Sequence, residues 1–141
     1  MGSIIRPTAT VYLNTNAIIY LTESNPDFKA SIEGLLSRSS ERAGARLVTS
    51  ELTFTEVLVL PFRVGNDELV AAYERLLDTL IEPIPLGRQE LFLAVKLRAN
   101  TPKLRTPDSL HLATAILVGA DVFVSGDTGI DVPAPMQKYV L

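Results

Sequence analysis

The sequence predicts an α/β domain in which a parallel sheet is covered by helices on both faces, and three observations predict it. Five short stretches of apolar and β-branched residues stand between turn signals. Segments of helical spacing separate them, and the strand-like stretches are too continuously apolar to keep one face in water. With 141 residues, 47% of them hydrophobic and 21% charged, the chain has the balance of a compact globular protein and reads as one domain over residues 1–141.

The first strand is Thr10 to Leu13, followed by a short helix over Ala17 to Leu21. A second helix spans Asp27 to Ser39 behind Asn25-Pro26. The strand Leu47 to Thr49 leads into a helix over Glu51 to Phe62, and Asn66 opens the next helix, Asp67 to Leu80. The strand Ile81 to Ile84 precedes a helix over Gln89 to Arg98. Thr106 opens the helix Pro107 to Val118, and the strands Val122 to Ser125 and Tyr139 to Leu141 complete the alternation. The three helix starts place an oxygen-bearing side chain where it accepts from free backbone N–H groups; two add proline at the first helical position, where no donor is lost.

Composition removes several kinds of function. No apolar run approaches eighteen residues and the N-terminus lacks the layout of a signal peptide, so the expectation is a soluble, cytoplasmic protein with no membrane segment. The absence of cysteine excludes disulfides, thiolate metal sites and a cysteine nucleophile. Chemistry falls to carboxylates, hydroxyls and the single His111. A net charge of −3 gives no global attraction for nucleic acid, so any such contact would use a local basic patch.

In a parallel α/β sheet the ligand crevice lies beyond the carboxyl ends of the strands. Four polar groups fall there: Asn14 after "VYL", Glu56 in the helix after "LVTS", Asp108 in the first turn of "TPDSLHLATAILVGA", and Asp127 after "DVFVSGD". Each has an ordinary explanation. Asn14 suits a turn or cap, Thr53 and Glu56 could form the solvent stripe of an amphipathic helix, Asp108 answers the helix dipole, and turns use aspartate routinely. Three acids and a carboxamide on separate βα elements nevertheless form a set that repels itself unless a cation fills it. Oxygen donors of this kind suit Mg²⁺ or Mn²⁺ and, with them, phosphoester chemistry.

The segments "YLNTNAIIYL", "TSELTFTEVL" and "RTPDSLHLATAILVGADVFVSGD", in this order and spacing, resemble the PIN domain, in particular the VapC-type ribonuclease toxins of type II toxin–antitoxin pairs. The resemblance implies a three-layer PIN-like fold with a parallel five-stranded sheet flanked by helices. It also implies a Mg²⁺- or Mn²⁺-dependent endoribonuclease leaving a 5′-phosphate and a 3′-hydroxyl, a homodimer, and a cognate antitoxin bound over the active site. Position by position, Glu56, Asp108 and Asp127 match three of the family's four acids, and Asn14 stands where the first belongs. Asn16 matches the polar residue bracing the first loop, and Ser125 the hydroxyl two residues before the last acid. A further acid expected two residues beyond it is Gly129 here, and Asp131 is not assigned to that place.

Asparagine is nearly the size of aspartate and offers a carbonyl oxygen but no charge, so it should weaken the metal site while sparing the fold. The expectation is a severely impaired nuclease: either a toxic enzyme deliberately disabled, or a naturally degenerate PIN fold kept as a protein- or RNA-binding module. His111, three residues after Asp108, reads better as a packed histidine with satisfied ring nitrogens than as a base or ligand. Arg98, Lys103 and Arg105 are candidates for phosphate contacts or for ordinary surface charge. The apolar residues Phe28, Leu35, Phe54, Phe62, Leu69 and Leu76 read chiefly as core, with an antitoxin groove as the sharper alternative. A phosphoacceptor receiver domain lacks its early acidic pair and late lysine here, and a dinucleotide-binding domain lacks its glycine-rich turn.

Overall fold

The computed structural model describes residues 9–24 and 46–141. The expected helix over Asp27 to Ser39, with its Asn25-Pro26 start and with Phe28 and Leu35, lies outside the described residues. Five strands, β1 (Thr10–Leu13), β2 (Arg46–Ser50), β3 (Glu82–Ile84), β4 (Val122–Ser125) and β5 (Gln137–Val140), form one sheet in the order β3-β2-β1-β4-β5. Every pairing is parallel, with Tyr12 beside Val48 on one flank and Phe123 on the other. The predicted α/β fold with a parallel five-stranded sheet is the observed one. β5 begins two residues earlier than the sequence suggests, because Gln137 and Lys138 pair with Val122 and Phe123 although neither side chain is apolar.

Alternation along the central strands divides the core in two, as successive side chains point to opposite faces. Val11, Leu13, Leu47, Val122 and Val124 pack with Ala17, Ile18, Val57, Tyr73 and Leu77 on one face. Tyr12, Val48 and Phe123 pack with Leu112 and Ala115 on the other. The Tyr12 and Phe123 rings stack with centroids 5.3 Å apart. The first face is covered by α1 (Thr15–Ile19), α2 (Leu52–Val57) and α4 (Asp67–Thr79), and the second by α6 (Thr106–Val118). Outside α6 lies α5 (Arg88–Asn100), joined to it through Ala94, Leu110 and Ala113.

Local chemistry sets the element ends. Asn14 precedes α1, its backbone carbonyl accepting from Ala17 and Ile18, so the helix starts two residues before the expected Ala17 and passes into a wide π turn over Tyr20–Ser24. The expected single helix over Glu51 to Phe62 is two, α2 and then α3 (Val59–Arg63). Pro61 has no N–H to give the Val57 carbonyl, which breaks the ladder at the join. Asn66 caps α4 as predicted, with Oδ1 accepting from Leu69 N at 3.1 Å. Thr106 does not cap α6: it lies inside the first turn with Pro107, behind Arg105, which makes no side-chain cap. Gly119 ends that helix at φ 74°, a left-handed conformation that costs glycine nothing.

Phe54, Leu69 and Leu76 pack against the core as expected, whereas Phe62 is exposed beside Val59, Leu60 and Val64. Leu91, Phe92 and Val95 form a second exposed apolar group on α5. Among the described residues no helix is long and apolar enough to cross a membrane.

Candidate functional site

The chain runs from β1 outward to β2 and β3, then returns to lay β4 on the opposite side of β1. The strand order therefore reverses between β1 and β4, and the crevice beyond their carboxyl ends is the natural binding place in an open α/β sheet. Asn14 leaves β1 there and Asp127 follows β4.

Asn14 is buried, its N–H bonded to the Val124 carbonyl across the strands. Its Oδ1 accepts from Thr15 N at 3.0 Å, and Nδ2 lies 3.4 Å from Ser125 Oγ. Ser125 is the knot of this corner: its hydroxyl accepts from Asp127 N at 2.9 Å and donates to Asn16 Oδ1 at 3.2 Å. Asn16 also accepts from Gly126 N at 3.0 Å, which ties the start of α1 to the loop after β4. Asp127 closes its own turn by accepting from Gly129 N at 2.7 Å, and a Cβ at Gly129 would stand 3.1 Å from that carboxylate oxygen. The residue therefore leaves room for Asp127 but supplies no further acid.

Asp108 sits in the first turn of α6 with Arg105 Nε 3.6 Å from its Oδ2. The arginine is largely exposed, so this ion pair is weak. Asp108 and Asp127 line one pocket of about 470 Å³ together with Lys103, Arg105, Leu104 and Asp131. Asn14 and Glu56 are not among its lining residues. Arg98 lies elsewhere: its Nε donates to the Leu104 carbonyl at 3.0 Å and the residue lines a separate groove between α5 and α6.

Glu56 is partly open to solvent but turns one carboxylate oxygen inward, and Thr53 on the same side of α2 is fully buried. Its Oε1 accepts from Thr15 Oγ1 at 2.7 Å and from His111 Nε2 at 2.6 Å. His111 is itself buried, and its Nδ1 lies 2.6 Å from the Tyr12 hydroxyl. Both ring nitrogens are satisfied, as the packed reading of this histidine requires. Thr15 Oγ1 also lies 3.3 Å from Thr53 Oγ1, which meets Thr49 Oγ1 at 2.7 Å, and Thr49 donates to the Leu13 carbonyl. Burial pushes the Glu56 carboxyl up, but the hydrogen bonds from His111 and Thr15, with the charges of His111 and Arg105, outweigh it and hold the group below the usual carboxylate range. Burial pushes the Tyr12 hydroxyl well up, so it keeps its proton.

Sequence reasoning passed over Tyr12 and Thr15, and the solvent stripe it considered for Thr53 does not hold, because that side chain is fully buried. The signal for Thr15 was its place between Asn14 and Asn16 at the strand end. Tyr12 had only its alternation with Val11 and Leu13, which assigns a face but no partner.

The donor chemistry suits a hard dication, since every candidate is an oxygen and Asp108 and Asp127 share a pocket. Among the described residues, however, no three His, Asp or Glu side chains stand together as a ready cage. Mg²⁺ needs only one or two carboxylates when waters and substrate phosphates complete its shell, so the pair fits such an ion. Asp108 and Asp127 are the residues that would hold it, with Glu56 as an additional donor.

The PIN domain family profile matches residues 11–134, and the chain belongs to this family. Its members are typically nucleases and generally metal-dependent. Among solved structures, the chain is similar to a toxin–antitoxin complex from Klebsiella pneumoniae (TM-score 0.65, 20% identity, 93% of this chain and 99% of that one). It is also similar to VapBC-1 from nontypeable Haemophilus influenzae (TM-score 0.64, 22% identity, 84% and 87%). A third is VapBC2 from Rickettsia felis bound to a promoter DNA fragment (TM-score 0.61, 16% identity, 84% and 88%). At these identities the likeness is one of fold. No curated protein matches the chain in sequence.

Proposed function

We propose that this chain is the toxin component of a toxin–antitoxin pair, an endoribonuclease that hydrolyses RNA phosphodiester bonds with Mg²⁺ or Mn²⁺ and is impaired as it stands by Asn14. The observation that carries this reading is the pocket that Asp108 and Asp127 line with Lys103 and Arg105, Asp127 following β4 and Asn14 standing outside the lining at the end of the neighbouring β1. A bound dication supplies hydroxide near neutral pH and stabilises the charge that develops in an in-line displacement. The protein's own groups do the rest: Asp108 and Asp127 provide anchoring charge, Ser125 and Asn16 hold the Asp127 turn, and Lys103 and Arg105 attract backbone phosphates. Asn14 leaves this corner one negative charge short of four acids. The protein partners are a second copy of the chain and an antitoxin, supported by the exposed apolar residues of α3 and α5 and by the toxin–antitoxin complexes among the similar structures.

A second reading, a catalytically degenerate PIN fold that binds protein or RNA, is favoured by one observation: no three acidic or histidine side chains are gathered among the described residues. Cleavage of a mixed RNA pool with Mn²⁺ or Mg²⁺ separates the two. The ribonuclease reading expects cutting by the Asn14→Asp form, none by the unaltered chain, and none when Asp108→Asn is added to the restored form. A folded, metal-binding Asn14→Asp protein that leaves RNA intact would overturn it in favour of the binding module.

A further inference from the structure

We propose that His111 is a positioning residue for Glu56, fixing its carboxylate by one oxygen and leaving the second to bind a cation. The inference rests on the ribonuclease reading above. Glu56 rides on a helix of only six residues, next to the Val57 carbonyl that Pro61 leaves without a helical donor. Two other elements hold its carboxylate: Thr15 from α1 and His111 from α6 both bond Oε1, and among the described residues Oε2 has no hydrogen bond.

The histidine is held from behind. A carboxylate oxygen only accepts, so Nε2 must carry a proton; in the neutral ring Nδ1 then accepts from the Tyr12 hydroxyl. A residue of β1 thus selects the tautomer that serves a residue of α2. His111 is 1% exposed and both nitrogens are engaged, which leaves neither free to take a proton from substrate nor to bind an ion. Asp108 lies one turn earlier on the same helix, so α6 both presents one candidate ligand and orients another. Partners that orient a ligating carboxylate have effects of their own on metal affinity.

Two measurements test this. In the unaltered chain, imidazole nitrogen resonances should show a proton on Nε2; a bare Nε2, or averaging between tautomers, would overturn the hydrogen-bond assignment. In the Asn14→Asp background, Mn²⁺ affinity read from the electron paramagnetic resonance of free Mn²⁺ should fall by roughly 10–100-fold in His111→Leu. His111→Gln, whose amide nitrogen reaches the Nε2 position, should recover most of it. Equal affinity in the parent and His111→Leu, or a His111→Gln protein as weak as His111→Leu, sinks the positioning role. If the Asn14→Asp parent neither binds Mn²⁺ nor cuts RNA, it is the ribonuclease reading that fails, and the tautomer measurement still decides whether His111 orients Glu56.

Discussion

His111 Nε2 stands 2.6 Å from Glu56 Oε1, joining the helix before β4 to the helix after β2 across 55 positions of sequence. The bond makes Glu56 a better acid than a free glutamate, and that has a measurable sign. Its folded pKa lies below the unfolded value, so its stabilising contribution is fully present above the unfolded pKa of roughly 4.3 and is lost as pH falls through the folded one. Urea midpoints followed from neutral pH into the acid range should therefore drop less steeply for Glu56→Gln than for the parent. Parallel acid limbs would show that Glu56 contributes nothing to the acid loss.

Asn14→Asp is nearly isosteric but places a carboxylate at a position only 4% exposed, with Ser125 Oγ already donating to Asn16. In chelator the variant should be less stable than the parent by about 1–3 kcal/mol, the cost of a poorly satisfied buried polar group. Saturating Mn²⁺ should return that loss, since binding at 100 times Kd stabilises by about 2.7 kcal/mol. Thermal unfolding with and without Mn²⁺ measures both.

Thr15→Val keeps the shape of the side chain and removes the hydroxyl shared by Glu56, His111 and Thr53. Thr15 is buried, so the expected loss is about 1–3 kcal/mol in chemical denaturation, with Thr15→Ser much closer to the parent. Tyr12→Phe should preserve the stack on Phe123 while stranding His111 Nδ1. Its cost should be of similar size, and a unique ring tautomer should be lost with it.

Basic residues at the end of α5 and in the loop after it should separate by their effect on RNA binding. Lys103 and Arg105 line the acidic pocket, whereas Arg98 is absent from its lining and lines the groove between α5 and α6. Lys103→Ala and Arg105→Ala should each weaken RNA affinity and reduce the salt slope by about 0.7 if each meets one phosphate of a single strand. Arg98→Ala should leave the slope unchanged. Filter binding across a salt series gives the answer, and an equal effect at all three positions would argue for diffuse surface charge instead.

What the sequence determined by itself was the part of the molecule written in neighbouring residues. Thr10 to Leu13 and Val122 to Ser125 were legible as strands because apolar continuity and turn residues are local signals. Asn66 was legible as a cap because its bond spans three residues. The single helix expected over Glu51 to Phe62 failed at Pro61, where one missing donor outweighs a favourable pattern. The amide at Asn14 and the order of the acids were likewise visible in the letters alone. Tertiary structure decided what those letters touch: that Glu56 turns onto His111 and Thr15, that Tyr12 holds the ring from behind, and that Asp108 and Asp127 share a pocket which Glu56 does not line. Those contacts join residues 41 to 99 positions apart. They depend on strand order and on the rotation of each helix over the sheet, and both are set by packing of the whole core rather than by any local run of residues.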